Sequence, residues 1–339
     1  MKIKNNKIKY FNEKNVINKY LLRKNYLKSF FIFFKYISVF ACIFFLGNEI
    51  FINYLDILEN LKSNYFLIFL IFFFSIIFQN LINIRHFFLL KYSLNYSYSF
   101  LDWSRLFFYT AILNKVIFFS GYLYRATELK KRGVNYRNYI SLIYISFFFG
   151  LLVNLILLSI EFTIISINNL FILIITLVIL LVSLIYFTPK NIIFLLKFIK
   201  IKNSIFIKKW INYVFDILNI LRKSFKYNKN IKIFIFFTII IHLVELSIFY
   251  FSGIVFLSSY SFSIIIALFA ASIILARIPF IYNITGLCEI ILGTIGVSMG
   301  VFFIDAALIQ LLIRINIYLS VILNMGIFFI TPTFDKKNL

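Results

Sequence analysis

The sequence predicts an all-α polytopic membrane protein, with about seven or eight transmembrane helices plus one or two re-entrant or broken ones. Three observations carry that prediction. Hydrophobic residues make up 62% of the 339-residue chain and the mean hydropathy is +0.95, both above what a soluble domain shows. The apolar residues come in runs of about 18 or more, the length a helix needs to cross the hydrocarbon. Basic residues collect between the runs, as they do in cytoplasmic loops. A β-barrel would show short alternating segments instead.

The net charge of +23 comes from 26 lysines and nine arginines against 12 acids. Lys, Asn, Ile and Phe are abundant together, as in AT-rich coding, so an arginine is the more informative residue. The basic residues flank membrane segments and form no folded domain, which argues against a nucleic-acid partner and for anionic lipid headgroups. Cys42 and Cys288 both sit in apolar surroundings, and His86 and His242 are the only histidines. Neither a disulfide framework nor a zinc site is expected, and no cofactor or catalytic motif is found.

Residues 1–29 carry nine Lys/Arg and one acid, Glu13. They are expected on the cytoplasmic membrane surface, with no cleavable signal peptide. Residues 30–330 form the transmembrane domain, and 331–339 a short tail. The first span is placed at Phe30–Gly47. The loop holding Glu49, Asp56, Glu59 and Lys62 is poor in basic residues and belongs outside. Tyr65–Ile84 returns to Arg85, His86 and Lys91. Phe100–Ser120 is apolar yet holds Asp102, Arg105, Asn114 and Lys115. Basic residues flank it on both sides, from Lys91 to Arg132 and Arg137. Both ends call for the cytoplasmic face, so a re-entrant hairpin or an interfacial helix is expected there.

Tyr139–Ile160 crosses outward and Leu170–Phe187 returns. Pro189–Lys232 holds eleven Lys/Arg against Asp216 alone and reads as interfacial helices on the inner leaflet. Ile233–Leu257 is the next span; His242 and Glu245 share a face within it. Such a pair is either a proton relay or a polar contact between helices. Ser263–Ala276 returns to Arg277. Tyr282–Gly300 is either re-entrant or a short span, and Val301–Ile330 is the long last one. The two interrupted regions stand at comparable places in the two halves, as an inverted repeat would put them.

The second interrupted region, Arg277–Arg314, is the most informative stretch. Pro279 breaks an apolar segment, a polar turn leads to Gly286, and Glu289 falls at the third position of a fresh helix. There a carboxylate is stabilised by free backbone N–H groups. It could equally face a buried arginine, Arg314 or Arg277, because intramembrane charges seek partners. Asp305 and Arg314 fall on opposite helix faces. In the first region, Arg125 follows Gly121 by about a turn. It either snorkels to headgroups or presents its fork to a phosphate. Glu128 is placed to pair with Lys131 or Arg132.

The pattern of Pro279, Gly286, Glu289, Gly296 and Arg314 resembles the C-terminal signature of the lysylphosphatidylglycerol synthase transmembrane region, the flippase-like family. Cys288 stands where that pattern usually has a second Gly. The stretch FFSGYLYRATELKKRGVNY resembles its N-terminal signature at Gly121, Arg125, Leu129 and Gly133, without the Pro near position 119. The resemblance implies a multi-pass plasma (inner) membrane protein that binds and translocates an anionic phospholipid or lipid-linked phosphate. The soluble synthase domain is not expected, so the chain is read as a non-enzyme. The alternatives are a non-transporting subunit serving a glycosyltransferase or envelope-lipid pathway, with a separate lipid-modifying enzyme or glycosyltransferase as partner, and a lipid aminoacyltransferase. The substrate-binding candidates are Gly121, Arg125, Arg277, Pro279, Gly286, Glu289 and Arg314.

Overall fold

The computed structural model describes residues 40, 43–93, 99–116, 120–164, 228–257, 260–276 and 286–330. These residues are all-helical, with no strand among them. Ten helices are described: α1 Ile43–Ile52, α2 Tyr54–Ser63, α3 Tyr65–Ser93, α4 Phe100–Val116, α5 Ser120–Lys131, α6 Tyr136–Ile164, α7 Asn228–Phe256, α8 Phe262–Ala276, α9 Leu287–Ser298 and α10 Phe303–Ile330. The terminal segments 1–29 and 331–339, the expected span Leu170–Phe187 and most of 189–232 lie outside the described residues. So do Arg277 and Pro279. Residues 228–232, the end of the expected interfacial segment, form the first turn of α7. The acidic stretch expected as an outer loop is helical, with Asp56 and Glu59 on α2.

Length separates the helices into two kinds. Within α3, α7 and α10, the segments Tyr65–Lys91, Lys232–Phe256 and Phe303–Ile330 are long and apolar enough to cross a membrane. With α6, these helices run to 28 or 29 residues, or roughly 42 Å at 1.5 Å per residue. α4, α5, α8 and α9 have 17, 12, 15 and 12 residues. At roughly 18 to 26 Å each is shorter than the hydrocarbon core. The apolar composition of α8 is spanning-grade, but its length is not.

The order long, short, short, long occurs twice. α3 corresponds to α7, α4 to α8, α5 to α9 and α6 to α10. Exchanging these labels maps the packing onto itself. α3 packs on α7, the most extensive contact of all. α10 packs on α3 and α4, as α6 packs on α7 and α8; α4 meets α5, as α8 meets α9. Both short helices α5 and α9 have 12 residues and both end in the same turn. The N–H of Val134 reaches the carbonyl of Leu129 (3.0 Å) and that of Gly133 reaches Lys130 (3.1 Å). The N–H of Val301 reaches Gly296 (2.9 Å) and that of Gly300 reaches Val297 (3.1 Å). This is the Schellman cap, which needs a left-handed residue. Gly133 (φ 86°) and Gly300 (φ 79°) supply it.

The buried side chains form two clusters. One joins α3, α6, α7, α8, α9 and α10, around Leu158, Ile248, Phe269, Leu292 and Ile309. The other joins α4 and α5 to the ends of α3 and α10 and the start of α6, around Leu90, Trp103, Phe108 and Leu129. Inter-helix polar contacts fix their register. Asn80 of α3 donates to Asn324 of α10 (2.8 Å), Asn83 to Ser104 of α4 (2.8 Å) and Ser272 of α8 to Gln310 of α10 (2.7 Å).

Candidate functional site

The first interrupted region is a helical hairpin. Ser99 starts α4: its hydroxyl accepts the Asp102 N–H (3.1 Å) and donates to the Asp102 carboxylate (2.8 Å), a reciprocal cap. α5 then runs back along α4. The Tyr122 N–H donates to Asn114 Oδ1 (3.2 Å), the Ser120 hydroxyl donates to the Leu113 carbonyl (2.8 Å), and Tyr109 meets Tyr124. Gly121 is the point of closest approach. A Cβ there would lie 1.9 Å from the Thr110 carbonyl oxygen, so no larger residue fits. The polar residues Asp102 and Asn114 thus cap and close the hairpin. Arg105 fastens it to α10, with Nε donating to the Phe328 carbonyl (2.7 Å).

Arg125 projects across this hairpin. It is 2% exposed, so it does not snorkel to headgroups in this structure. Nε donates to Thr110 Oγ1 (2.8 Å); Nη2 donates to the same hydroxyl and to the Phe107 carbonyl (3.1 Å). The guanidinium lies over Phe107 (4.7 Å), Trp103 (5.3 Å) and Tyr122 (5.7 Å). All these partners are neutral. No described carboxylate contacts Arg125, and the cation rests on hydroxyl, carbonyl and ring faces alone. Arg85 of α3 is also buried, with Nη1 donating to Thr238 of α7 (3.2 Å) and its guanidinium over Phe234. Outside the hairpin core, Glu128 pairs with Lys131 (2.6 Å), whose ammonium is 70% exposed.

The second region handles charge differently. Gly286, in left-handed conformation (φ 91°), starts α9, and its N–H donates to Glu289 Oε2 (3.0 Å). The other carboxylate oxygen, Oε1, faces Arg314 Nε of α10 at 2.9 Å. That contact lacks hydrogen-bond alignment and is best described as a charge contact. Glu289 is fully buried and Arg314 is 5% exposed. Helix start and arginine partner, alternatives in the sequence, are both realised by one carboxylate. Gly296 lies against α10 at Ala306.

The five described candidates therefore fall into two places. Gly121 and Arg125 belong to the α4–α5 core, and Gly286, Glu289 and Arg314 to the larger cluster. Sequence reasoning missed Thr110, Phe107 and Trp103 as the seat of Arg125. The one available signal was Trp103, one of two tryptophans in the chain. It also missed the partner of His242. Nε2 of that imidazole meets Glu161 Oε1 of α6 at 2.8 Å, and Glu245 is not its partner. No group of three or more His, Cys, Asp or Glu side chains suited to a metal occurs among the described residues.

Comparison of the chain with known protein families, with curated proteins and with solved structures finds no match.

Proposed function

We propose that this is a multi-pass plasma (inner) membrane protein of the flippase-like type, which binds an anionic lipid or lipid-linked phosphate and carries it across the bilayer. The observation that supports this reading is Arg125. A buried cation costs several kcal/mol unless an opposite charge answers it. The described residues place only neutral groups around this one. A phosphate would supply the missing charge. Nε and Nη2 are engaged within the hairpin, so a headgroup would have to meet or replace these neutral contacts. At 2% exposure that meeting requires α5 to shift off α4. α5 is suited to such a shift, being short and packed mainly on α4 and α6.

The doubled helix order supports the same reading. In this proposal the halves are inverted repeats, with the α4–α5 hairpin dipping in from the cytoplasmic face and the α8–α9 pair from the outer one. Transporters commonly build their substrate sites from such discontinuous helices. The seven or eight crossings expected from hydropathy then become fewer full spans plus two hairpins.

The test is lipid translocation in reconstituted vesicles, with a fluorescent phosphatidylglycerol as probe. Arg125→Lys keeps the charge but loses the planar fork. It is expected to impair translocation almost as much as Arg125→Gln, while Lys130→Gln does little. Wild-type behaviour of Arg125→Lys would overturn the phosphate role. An equal loss with Lys130→Gln would reduce it to bulk surface charge. Lipid binding without movement would favour a membrane subunit that serves a glycosyltransferase or lipid-modifying enzyme.

A further inference from the structure

The His242–Glu161 pair lies outside the machinery invoked above. His242 is fully buried on α7, with the ring centre of Phe269 5.3 Å from the imidazole. Glu161, on the last turn of α6, is 17% exposed and is the less buried member. Each residue keeps a second polar atom that is buried and lacks a hydrogen-bond partner: His242 Nδ1 at one end and Glu161 Oε2 at the other. A structural hydrogen bond would normally fix the imidazole tautomer from its far side. Here neither end is fixed.

Among the described residues the pair stands electrically on its own. α8 carries no charged side chain. On α3, Arg85 reaches Thr238, one turn before His242, and His86 and Lys91 lie further along. On α10, Arg314 is paired with Glu289, and Asp305 is in the first turn. α2 holds Asp56, Glu59 and Lys62, and α7 itself holds Lys232 and Glu245. None of these forms a hydrogen bond or ion pair with His242 or Glu161.

We propose that His242 and Glu161 together form a proton-binding site inside the bundle. With His242 neutral and its Nε2–H donated to the carboxylate, the pair carries one negative charge in an apolar setting. Adding one proton gives either imidazolium with carboxylate or imidazole with carboxylic acid, and the net charge becomes zero. Burial favours the neutral total, because an unanswered buried charge is expensive. The added proton is taken up either by the second carboxylate oxygen, giving imidazole with carboxylic acid, or by Nδ1, giving imidazolium with carboxylate, and it is released again from the same atom.

The other half of the molecule supplies the control. The corresponding seam, α3 against α10, holds Asn80 donating to Asn324 (2.8 Å). That amide pair joins its helices but cannot exchange a proton. The proton site is thus confined to one half.

Two histidines in the whole chain make the test direct. Full-length protein labelled with ¹⁵N-histidine is placed in phosphatidylglycerol nanodiscs and followed by NMR from about pH 5 to about pH 9. A His86→Gln variant assigns the two imidazoles. The expected result is a titrating His242 signal whose midpoint falls by about one pH unit or more in Glu161→Gln, where the imidazolium has lost its counter-charge. Glu161→Asp, which keeps the carboxylate, should shift it less, and serves where the amide variant does not fold. The double variant His242→Asn, Glu161→Asn copies the opposite seam and should keep the fold while abolishing proton uptake on a pH jump. A His242 signal that stays one neutral tautomer throughout, or a midpoint indifferent to Glu161→Gln and Glu161→Asp, would overturn the proposal.

Discussion

The two interrupted regions share an architecture and differ in how they treat a buried arginine. Each has a 12-residue helix that begins at or beside a glycine and ends in a left-handed glycine cap before a long helix. In the second, Arg314 faces the Glu289 carboxylate, so the charge is neutralised from within. In the first, Arg125 meets hydroxyl, carbonyl and aromatic faces and keeps its charge. Among the described residues, the second region thus carries its own anion beside the arginine and the first does not. The difference argues for an external anion at the first region and a structural role for the second.

The largest expected effect tests that contrast directly. Glu289→Gln leaves Arg314 buried without its counter-charge and should destabilise the protein by about 3–5 kcal/mol. Replacing both members, as Glu289→Leu with Arg314→Met, should recover most of that loss. Thermal unfolding in detergent measures both. Arg125→Gln, by comparison, removes a charge that no described carboxylate answers, and should lower stability far less than Glu289→Gln. Equal losses would erase the contrast between the two regions.

A smaller effect is expected at the glycines. Gly121→Ala puts a methyl against the Thr110 carbonyl and should open the α4–α5 hairpin at about 1–3 kcal/mol. Gly133→Ala and Gly300→Ala each force a left-handed alanine, at about 1–2 kcal/mol. Nothing crowds either position, so the two should lose about the same amount, as equivalent caps must. The same unfolding assay reads all three. The smallest effect is at Glu128. Its hydrogen bond and charge hold the Lys131 ammonium above the usual 10.5. The pair therefore contributes below that pH and fades only as pH rises through the raised value. Both partners lie at the surface, so Glu128→Gln should leave the neutral-pH unfolding temperature unchanged within error.

How much of this was legible in the sequence follows from the range of each signal. Helix starts are local, so Gly286 with Glu289, and the glycine before Arg125, could be read from spacing. The Glu128–Lys131 pair lies within one turn and was also readable. Arg314 was nameable as a partner for Glu289 because intramembrane charges are few. The seat of Arg125 was not, because Thr110 and Phe107 are ordinary residues until α5 folds back over them. His242 shows the limit most clearly. Its same-face neighbour Glu245 was the local suggestion, whereas its partner is Glu161, 81 positions away. The repeated helix order was visible only as two interruptions in comparable places. Its firmer marks are helix lengths and packing partners, which apolar sequences of shared composition conceal.

The docking of α4 on α10 has a consequence for biogenesis. Phe328 stacks on Phe108, meets Phe100 edge-on and accepts the Arg105 hydrogen bond through its carbonyl. These contacts span more than 200 positions. During synthesis the first hairpin leaves the ribosome long before its dock exists. Neither of its helices is long enough to be retained as a crossing segment in its own right. Its contacts with α3 and the start of α6 can form early, whereas its dock on α10 waits for the last helix. Assembly then closes from the far end of the chain toward the beginning, and late ribosomal stalling would strand the Arg125 hairpin first.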